Sequence, residues 1–494
     1  MKKVIFSILL LSAFGVNAQN WFVTTDGKPW QQKKLSLFSK AASKPILDIS
    51  GNEEGNTFKS WGTCFNELDA DALKLLTEAE QQEIYYNMFS PDGDLKFSRG
   101  RLTMNANDYS RAWYSCSEVP GDFSLKYFNI DHDKGNVIPM IHGALNQNPD
   151  MTFWMSPWCP PAWMKINNDY PVVSSKFNNL PEECNYYLFE SSDAVIDEDE
   201  MKLMGDRNGV FPRRLAVNDY FIQDPRYLKA YADMFCKFID LYAEQNIPID
   251  MVMYQNEAYS YTPYPGCAWT AEGTQRFNRD YLAPALKKNH PEVKLYLGTF
   301  NTNRQDYIEK ILSDEKLVDC IDGMGVQWEA REVFDKLREK YPQLNFIQTE
   351  SECGSGTFDW KAGEHTFFLL CDYIGKGCNE YFIWNFILPD QGESPWGWRQ
   401  NALIHVDSAN KTYRYTPEYY AVKHFSNLVT PGSKMVGYVA DKENPVIVFR
   451  TIDGKHLTMA GNFTDKSVKK TVKIAKRYLN MNLAPHSFNT FISK

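Results

Sequence analysis

Several features that would mark other classes of protein are scarce in this sequence. Only 8 of its 494 residues are histidine, and 62 Asp and Glu residues outnumber 53 Lys and Arg residues, for a formal net charge of −9. The chain therefore lacks the basic face that nucleic acids bind, and we expect no nucleic acid partner. Beyond the N-terminus no apolar run is long enough to span a bilayer, so we expect no stable insertion into a membrane.

Cysteine is present, but without a recognisable pattern. The 10 cysteines include no CxxC pair and no Cys and His residues at the spacing of zinc ligands, so no metal site is predicted. Export from the cytoplasm permits disulfides, but scattered cysteines define no pairing. The sequence leaves the pairing of these thiols open.

The N-terminus has the composition of a secretory signal peptide. Met1, Lys2 and Lys3 are followed by an apolar run over 4–14 and by small residues up to Ala18. A basic start, a short apolar stretch and small residues near a cleavage site are typical of such a signal. We therefore assign residues 1–18 to a cleaved signal peptide and expect a secreted or periplasmic protein.

The middle of the chain alternates short apolar runs with helical stretches. Strands separated by helices indicate parallel βαβ units, and eight in succession indicate a closed barrel rather than an open sheet. We predict a (β/α)8 TIM barrel over residues 59–428. The eight candidate strands are residues 61–67, 97–104, 152–158, 251–257, 294–300, 323–328, 345–350 and 380–386.

One connecting helix and one long insertion stand out within this barrel. Asp224 can cap a helix that begins at Pro225, and apolar side chains then recur every three or four residues up to Tyr242, which predicts one buried face. Residues 168–222 form an insertion rich in Asn, Pro and acidic residues. We expect a solvated surface segment there, which can also form one wall of a cleft.

The end of the chain has a different pattern from the barrel. After about residue 430, short alternating strands occur at 446–451, 457–461 and 468–474. This alternation predicts a small β-sandwich over residues 429–494, and we expect the N-terminal segment 19–58 to join it. The predicted fold is thus an α/β TIM barrel with an attached small β-sandwich domain.

Two glutamates follow apolar runs of the predicted barrel. Glu257 comes after Met251–Tyr254 and the polar pair Gln255 and Asn256, and Glu350 comes after the run that begins at Phe346. The carboxyl ends of barrel strands open into the active site, so both side chains are expected to face one pocket. A buried structural glutamate with an ion-pair partner is the alternative for each of them taken alone.

Paired carboxyl groups are what glycoside cleavage requires. A retaining glycosidase uses one as the nucleophile and the other as the general acid and base, about 5–5.5 Å apart. Asn256, next to the candidate acid, is suited to hydrogen-bond a sugar hydroxyl. The high aromatic content of 15% fits sugar rings, whose faces are apolar.

Eight short motifs occur in order along the chain and together carry a family resemblance. They are WGTCFNE at 61–67, RLTM at 101–104, NDYS at 107–110, SPW at 156–158, PAWMK at 161–165, NE at 256–257, TE at 349–350 and WN at 384–385. This set resembles glycoside hydrolase family 30, which includes lysosomal glucosylceramidase, over nearly the whole mature chain. The resemblance implies a TIM barrel fused to a β-sandwich, and no metal or organic cofactor.

The resemblance also implies roles for individual residues. Glu257 corresponds to the general acid/base and Glu350 to the nucleophile, while Arg101 would pair with Glu350 and keep it ionised. A buried salt bridge without catalytic effect is the alternative for Arg101. Trp269 would flank the leaving group, or else is a plain loop aromatic. The residues predicted to bind substrate are Asp108, Trp158, Asn256, Trp269, Gln327, Trp328, Trp384 and Trp398.

The sequence departs from the family pattern at three places. Gln327 and Glu329 surround Trp328, where the family commonly has His and Tyr, which affects the expected leaving-group subsites. Glu352 lies two residues after Glu350 and is the alternative nucleophile, although only Glu350 directly ends the run. The loop 396–401, which contains Trp398, is unlike the glucosylceramidase branch and either forms a sugar platform or packs the loop.

These features predict a retaining β-glycoside hydrolase that acts on carbohydrate, and we expect a monomer. Family activities point to β-1,6-glucan or β-1,6-galactan as substrate. An exo-acting β-glucosidase, β-fucosidase or β-xylosidase is the alternative within the family, and a glycan-binding protein that has lost turnover is a more remote one. Sugar identity and exo or endo action depend on loop heights that the sequence does not define.

Overall fold

A computed structural model describes residues 20–49, 55–184 and 219–493 of the chain. The predicted signal peptide over 1–18 and most of the insertion after residue 184 lie outside the described residues. The strands are β1 Asn20–Thr25, β2 Lys28–Lys34, β3 Leu47–Ile49, β4 Asn56–Thr57, β5 Ser60–Cys64, β6 Arg99–Met104, β7 Thr152–Pro157, β8 Ile249–Met253, β9 Lys294–Phe300, β10 Gly323–Gln327, β11 Asn345–Glu350, β12 Glu380–Ile383, β13 Ile387–Pro389, β14 Ile404–Asp407, β15 Thr412–Tyr415, β16 Lys434–Val439, β17 Val446–Arg450, β18 His456–Asn462, β19 Val468–Ile474, β20 Arg477–Leu483 and β21 Ser487–Ser493.

Helices occupy most of the connections between these strands. The α-helices are α1 Glu67–Lys74, α2 Glu78–Phe89, α3 Asp131–Lys134, α4 Val137–Leu145, α5 Pro225–Ala243, α6 Ala271–Phe277, α7 Ala283–Asn289, α8 Gln305–Leu312, α9 Glu315–Val318, α10 Phe334–Lys340, α11 Trp360–Lys376 and α12 Pro417–Ser426. A π-helical turn at Asn278–Leu282 joins α6 to α7, and 3-10 turns occur at Ala162–Met164, Glu182–Cys184 and Trp328–Glu332.

The strands β5 to β12 close a parallel barrel in chain order. This confirms the predicted TIM barrel, and each of the eight predicted runs overlaps one barrel strand. The predicted bounds of the fourth strand were wrong, because β8 begins at Ile249 and ends at Met253 rather than at Glu257. After Met253 the chain leaves the sheet, and the Glu257 backbone adopts a left-handed conformation with φ of +52°.

The predicted helix after the insertion is confirmed. Asp224 precedes α5, and its carboxylate accepts a hydrogen bond from the Arg226 backbone N–H, while Pro225 occupies the first turn. Leu228, Tyr231, Phe235, Phe238 and Tyr242 are all buried along one side of the helix. The apolar residues of α5 therefore form one buried face, as their spacing predicts, and the helix covers the outside of the barrel.

A β domain is built from both ends of the chain. One sheet has the order β2-β1-β21-β18-β17-β16-β4 and a second has the order β20-β19-β3. β1, β3 and β4 pair with strands that begin at Lys434 or later, and β2 pairs with β1. The apolar side chains between the sheets form their own core, which includes Val446, Val472 and Leu479. A separate three-stranded sheet, β13-β14-β15, follows the last barrel strand.

The barrel and the β domain share an aromatic and polar contact. Phe488 of β21 stacks on Trp360 and Phe367 of α11, with ring centroids 4.8 Å and 5.2 Å away. The His424 imidazole of α12 lies 2.9 Å from the hydroxyls of both Thr24 and Thr490. Burial lowers the pKa of His424 to about 3, so the ring is neutral in the fold.

Two further sequence questions are answered within the described ranges. No helix there combines the length and the apolar character that crossing a membrane requires. The structure describes the side chains of nine cysteines, which are all free thiols, and Cys320 is the exposed one among them. No disulfide is thus present among those nine.

Candidate active site

The candidate residues converge at the carboxyl end of the barrel. Arg101 lies in β6, Gln327 is the last residue of β10, and Glu350 is the last residue of β11. Asn256 and Glu257 lie in the loop after β8, where the Asn256 backbone N–H donates to the Pro157 carbonyl, 2.7 Å away. Segments far apart in the chain thus meet at one end of the sheet, where barrel enzymes hold their active sites.

Glu350 is held by one donor on each carboxylate oxygen. The Arg101 Nη1 donates to its Oε2 over 3.0 Å, and the Trp328 indole Nε1 donates to its Oε1 over 3.1 Å. Burial raises the pKa of Glu350, whereas the Arg101 charge and these hydrogen bonds lower it. Glu350 is 5% exposed, so little of it is accessible to solvent. The two hydrogen bonds define the orientation of its carboxylate.

Arg101 also organises the residues around Glu350. Its Nη2 donates to the Asn256 Oδ1 over 2.7 Å and to the Ser156 hydroxyl over 3.2 Å. Its guanidinium carbon lies 4.3 Å from the ring centroid of Trp158, a cation–π contact that stabilises the charge. One fully buried cation therefore contacts the candidate nucleophile and the neighbour of the candidate acid.

Glu257 has a different environment from Glu350. Its backbone N–H donates to the Thr299 carbonyl over 3.1 Å, which holds the left-handed turn in place. The Gln327 Nε2 donates to its Oε1 over 2.8 Å, and the Ser260 hydroxyl donates to its Oε2 over 3.1 Å. Burial and then the charge of Glu350 raise the pKa of Glu257 to about 7. Such a carboxyl group can hold a proton near neutral pH.

Asp108, in the loop after β6, is a third carboxyl group of the site. It is 4% exposed, and its Oδ1 has no hydrogen-bond partner within the described part of the chain. Burial and then the charges of Glu350 and Glu257 raise the pKa of Asp108 well above its usual range. A buried polar atom without a partner suits a site that a ligand completes.

Two tryptophans form an apolar wall beside these groups. Trp158 and Trp384 stack with ring centroids 4.8 Å apart, and Tyr109 packs edge-on against Trp384 at 6.4 Å. The Tyr109 hydroxyl donates to the backbone oxygens of Gly392 and Trp398, over 2.7 Å and 3.2 Å. Tyr109 therefore ties the loop that carries Trp398 to the wall, and the Trp398 side chain is 41% exposed.

The side chains of two candidates have partners other than the two carboxyl groups. Trp269 is 1% exposed. It stacks on Phe221 with centroids 5.0 Å apart, and its Nε1 donates to the Gln255 Oε1. The predicted contact of Trp269 with a leaving group is therefore corrected: the ring packs in the core. Glu352 bonds to His365 over 2.5 Å and pairs with Arg331 at 3.5 Å, so the alternative nucleophile has other partners.

Sequence reasoning missed several supporting residues. Ser260 contacts Glu257 from three positions further along the chain, and the Thr299 hydroxyl donates to the Asn256 Oδ1 over 2.8 Å. Tyr109 follows Asp108 directly, and that adjacency was the one signal that could have pointed to it. Ser260, in the same loop as Glu257, and Thr299, in β9, belong to none of the motifs and so carry no such signal.

Comparison with known proteins agrees with this geometry. Residues 58–177 and 221–429 match the model of the glycosyl hydrolase family 30 TIM-barrel domain. The chain belongs to glycoside hydrolase family 30. It is therefore a glycosidase, a hydrolase that acts on glycosidic bonds in carbohydrates.

Individual proteins similar to this family 30 hydrolase include lysosomal acid glucosylceramidase of Mus musculus. That enzyme is 23% identical over 455 residues, which cover 86% of this chain and 79% of the relative. Two solved structures share the fold: SrfJ from Salmonella typhimurium and the endo-beta1,6-glucanase BT3312. Both are 19% identical to this chain, and each match covers 96% of this chain and 99% of the other. The TM-scores are 0.79 for SrfJ and 0.76 for the endo-beta1,6-glucanase.

Proposed function

We propose that this family 30 hydrolase cleaves β-linked glycans with retention of configuration, with Glu350 as nucleophile and Glu257 as general acid and base. The observation that carries the proposal is the unequal support of two neighbouring carboxyl groups. Glu350 receives a guanidinium and an indole N–H, both of which favour its ionised form. Glu257 has neutral partners and a pKa of about 7, which favours a carboxyl group that can gain and lose a proton.

The reaction proceeds in two displacements. In the first, a Glu350 oxygen bonds to the anomeric carbon while the bond to the leaving oxygen breaks and Glu257 gives that oxygen its proton. In the second, Glu257 takes a proton from water, whose oxygen displaces Glu350 and regenerates the free carboxylate. Neutralisation of Glu350 in the covalent intermediate lowers the pKa of Glu257, which is what its change from acid to base requires.

The surrounding residues supply the sugar-binding groups of this proposal. The Asn256 Oδ1 is occupied by Arg101 and Thr299, which leaves its NH2 group to donate to a sugar hydroxyl. Asp108 would bind hydroxyls through its unpartnered Oδ1, whereas Trp158 and Trp384 would cover an apolar sugar face. Gln327 contacts the carboxyl group of Glu257, and Trp328 contacts that of Glu350. Their proposed role is therefore at the reacting centre.

We further propose a β-1,6-linked glucan or galactan as the substrate class. The fold is similar to that of an endo-beta1,6-glucanase, and the exposed Trp398 offers a second aromatic face beyond the wall of Trp158 and Trp384. An exo-acting β-glucosidase, β-fucosidase or β-xylosidase is the competing activity within the family. A protein that binds glycans without turnover is disfavoured by the intact pair of carboxyl groups.

The remaining proposals concern where and in what form the enzyme acts. The basic and apolar N-terminus supports export and cleavage after residue 18. We propose a secreted or periplasmic enzyme that works as a monomer. N-terminal sequencing of the exported protein and its mass in solution test these two points.

The anomeric configuration of the first product tests the retaining mechanism. The purified enzyme is incubated with aryl β-glycosides and with β-1,6-glucan and β-1,6-galactan, and proton NMR follows the early product. We expect the β anomer to appear first and to convert slowly to the α anomer. Initial α product would contradict retention. Release of monosaccharide alone from the polysaccharides would favour the exo activity, whereas oligosaccharides of several lengths support endo cleavage.

A further inference from the structure

The side chain of Gln327 lies between Glu257 and the strand that carries Glu350. The residue ends β10 and is fully buried. Its Nε2 donates to the Glu257 Oε1 over 2.8 Å, and its Oε1 accepts from the Thr349 hydroxyl, also over 2.8 Å. Thr349 directly precedes Glu350. The amide group therefore joins the acid side of the site to the strand that carries the nucleophile.

The orientation of this amide group follows from its neighbours. Arg101 can only donate hydrogen bonds, so the Asn256 atom at 2.7 Å from its Nη2 must be the oxygen. The Gln327 Nε2 lies 3.4 Å from that same oxygen. A reversed amide would place the Gln327 oxygen against both the Asn256 oxygen and the Glu257 carboxylate. The nitrogen of Gln327 therefore faces Glu257.

A fixed donor on one carboxyl oxygen decides where the acid proton resides. The carbonyl oxygen of a neutral carboxyl group is a stronger acceptor than its hydroxyl oxygen, so the Gln327 N–H at Oε1 favours the neutral acid that carries its proton on Oε2. Ser260 is the partner of Oε2, with its hydroxyl oxygen 3.1 Å away. A serine hydroxyl can accept from a protonated carboxyl group and donate to an ionised one, so it suits both states of Glu257.

We propose that Gln327 is a positioning residue that confines the catalytic proton of Glu257 to Oε2. Asn301 contacts the Ser260 hydroxyl at 2.6 Å and keeps it in reach. The proton passes from Oε2 to the leaving oxygen when the glycosidic bond breaks, and the proton of the incoming water returns to Oε2. This inference rests on the proposed role of Glu257, and it adds which oxygen delivers the proton and which side chain determines that choice.

The charges around Glu257 allow the contribution of Gln327 to be isolated. Burial and the Glu350 charge raise the pKa of Glu257, and the hydrogen bond from Gln327 lowers it, as do Ser260 and Arg101. Asp108 and Tyr264 also face Glu257. Gln327 also lowers the pKa of Glu350. Its replacement by the similarly shaped, non-bonding Met removes no charge, so the alkaline limb of the pH profile reports the donor lost from Glu257 and the acid limb reports the one lost from Glu350.

The test compares two leaving groups in wild type and in Gln327→Met. A phenyl β-glycoside needs the acid, whereas a 2,4-dinitrophenyl β-glycoside leaves without a proton. We expect kcat/KM to fall about tenfold or more for the phenyl substrate and to stay within about threefold for the dinitrophenyl substrate. The alkaline limb of kcat/KM should move to higher pH, because the ionised carboxylate has lost a donor.

Two further variants distinguish an effect on Glu257 from a general loss of folding. Thr349→Val removes the hydroxyl that orients the Gln327 amide, and it should show the same leaving-group dependence to a smaller degree. Gln348→Met is the matched control: Gln348 is also buried, but its Oε1 accepts from the Phe382 backbone N–H. Any loss in that control should be equal for both substrates.

The outcomes separate the two proposals. Equal losses on both substrates in Gln327→Met, or an alkaline limb that does not move, would overturn the positioning role while the glycosidase assignment stands. A wild-type enzyme inactive on dinitrophenyl β-glycosides of the common sugars and of their β-1,6-linked disaccharides, and also on β-1,6-glucan and β-1,6-galactan, would instead refute the proposed function, and this inference with it. Melting temperatures of all variants show whether a change reflects the site or the fold.

Discussion

Two arginines on one barrel strand, Arg99 and Arg101, have contrasting surroundings. Both side chains project to the same side of β6 because they are two residues apart. Arg99 lies at the amino end of the barrel and pairs with Asp250 and Glu380. Arg101 lies at the carboxyl end and pairs with Glu350. The same residue type therefore serves two regions whose charge balance differs.

The amino end of the barrel is balanced. Lys59 and Arg99 face the carboxylates of Asp250 and Glu380, and the Ser60 hydroxyl donates a further hydrogen bond to Glu380 over 2.9 Å. Each carboxylate has a cation close by, so no charge is left over. Such an arrangement holds strands together and offers nothing to a ligand.

The carboxyl end is unbalanced by comparison. Asp108, Glu257 and Glu350 share one guanidinium, that of Arg101, among the ionisable groups that act on them most. Burial raises the pKa of all three, and the charges of neighbouring carboxylates raise those of Asp108 and Glu257 further. Unfavourable electrostatic energy is therefore concentrated at the end of the barrel that we propose binds substrate, as is common at functional sites.

The largest expected effect comes from neutralising the proposed nucleophile. Glu350→Gln should lower kcat by about 10⁴-fold or more, because no covalent intermediate can form. Glu352→Gln is the matched control two residues later, since Glu352 pairs with His365 and Arg331 instead. Steady-state kinetics on an aryl β-glycoside measure both variants. Normal turnover by Glu350→Gln would contradict the proposed nucleophile and, with it, the functional contrast between the two ends of the barrel.

The second largest effect is expected from replacing Glu257, the proposed general acid at the carboxyl end of the barrel. Glu257→Gln should lower kcat/KM by about 10² to 10⁴-fold on a phenyl β-glycoside and far less on a dinitrophenyl one. Wild type needs protonated Glu257, whose pKa is about 7, so its kcat/KM should fall as the pH rises through 7. The variant should lack that alkaline limb.

Added azide provides the complementary measurement for this second variant. Because Glu257→Gln cannot activate water, azide should attack the covalent intermediate and yield a β-glycosyl azide, detectable by NMR. An α-glycosyl azide, or an unchanged alkaline limb in the variant, would contradict the role of Glu257.

The smallest expected effect lies at the balanced end and concerns stability alone. Arg99→Met should lower the free energy of unfolding by about 3 kcal/mol, because it breaks the ion pair of the buried Glu380 and leaves the half-buried Lys59 as the remaining cation near it. Urea unfolding measures this loss, and kcat of the folded variant should stay within about twofold. A large fall in kcat at unchanged stability would show that the two ends of the barrel are not independent.

Sequence reasoning performed best where the signal is local. The eight apolar runs, the capped helix α5 and the N-terminal strands that join the β domain all follow from short-range patterns. Glu350 was assigned to the end of its strand for the same reason, and β11 does end there. The fourth strand was extended too far, because an apolar run does not reveal where the chain turns out of the sheet.

Individual contacts within the site were beyond the reach of the sequence. Trp269 lies in a loop next to the site, yet it packs in the core against Phe221, a residue from the far side of the insertion. Gln327 was a candidate for substrate binding, but its partners Glu257 and Thr349 come from two other connections of the barrel. No spacing within the chain encodes such meetings.

The sequence by itself determined the barrel, the β domain made from both chain ends, and the two glutamates proposed to carry the chemistry, because hydrophobic periodicity and strand-end positions are local properties. The family resemblance already implies that Arg101 pairs with Glu350, whereas the tertiary structure alone decided that Gln327 and Ser260 lie beside Glu257. The pKa of a carboxyl group depends on burial and on nearby charges, and barrel closure brings those groups together from strands that are hundreds of residues apart.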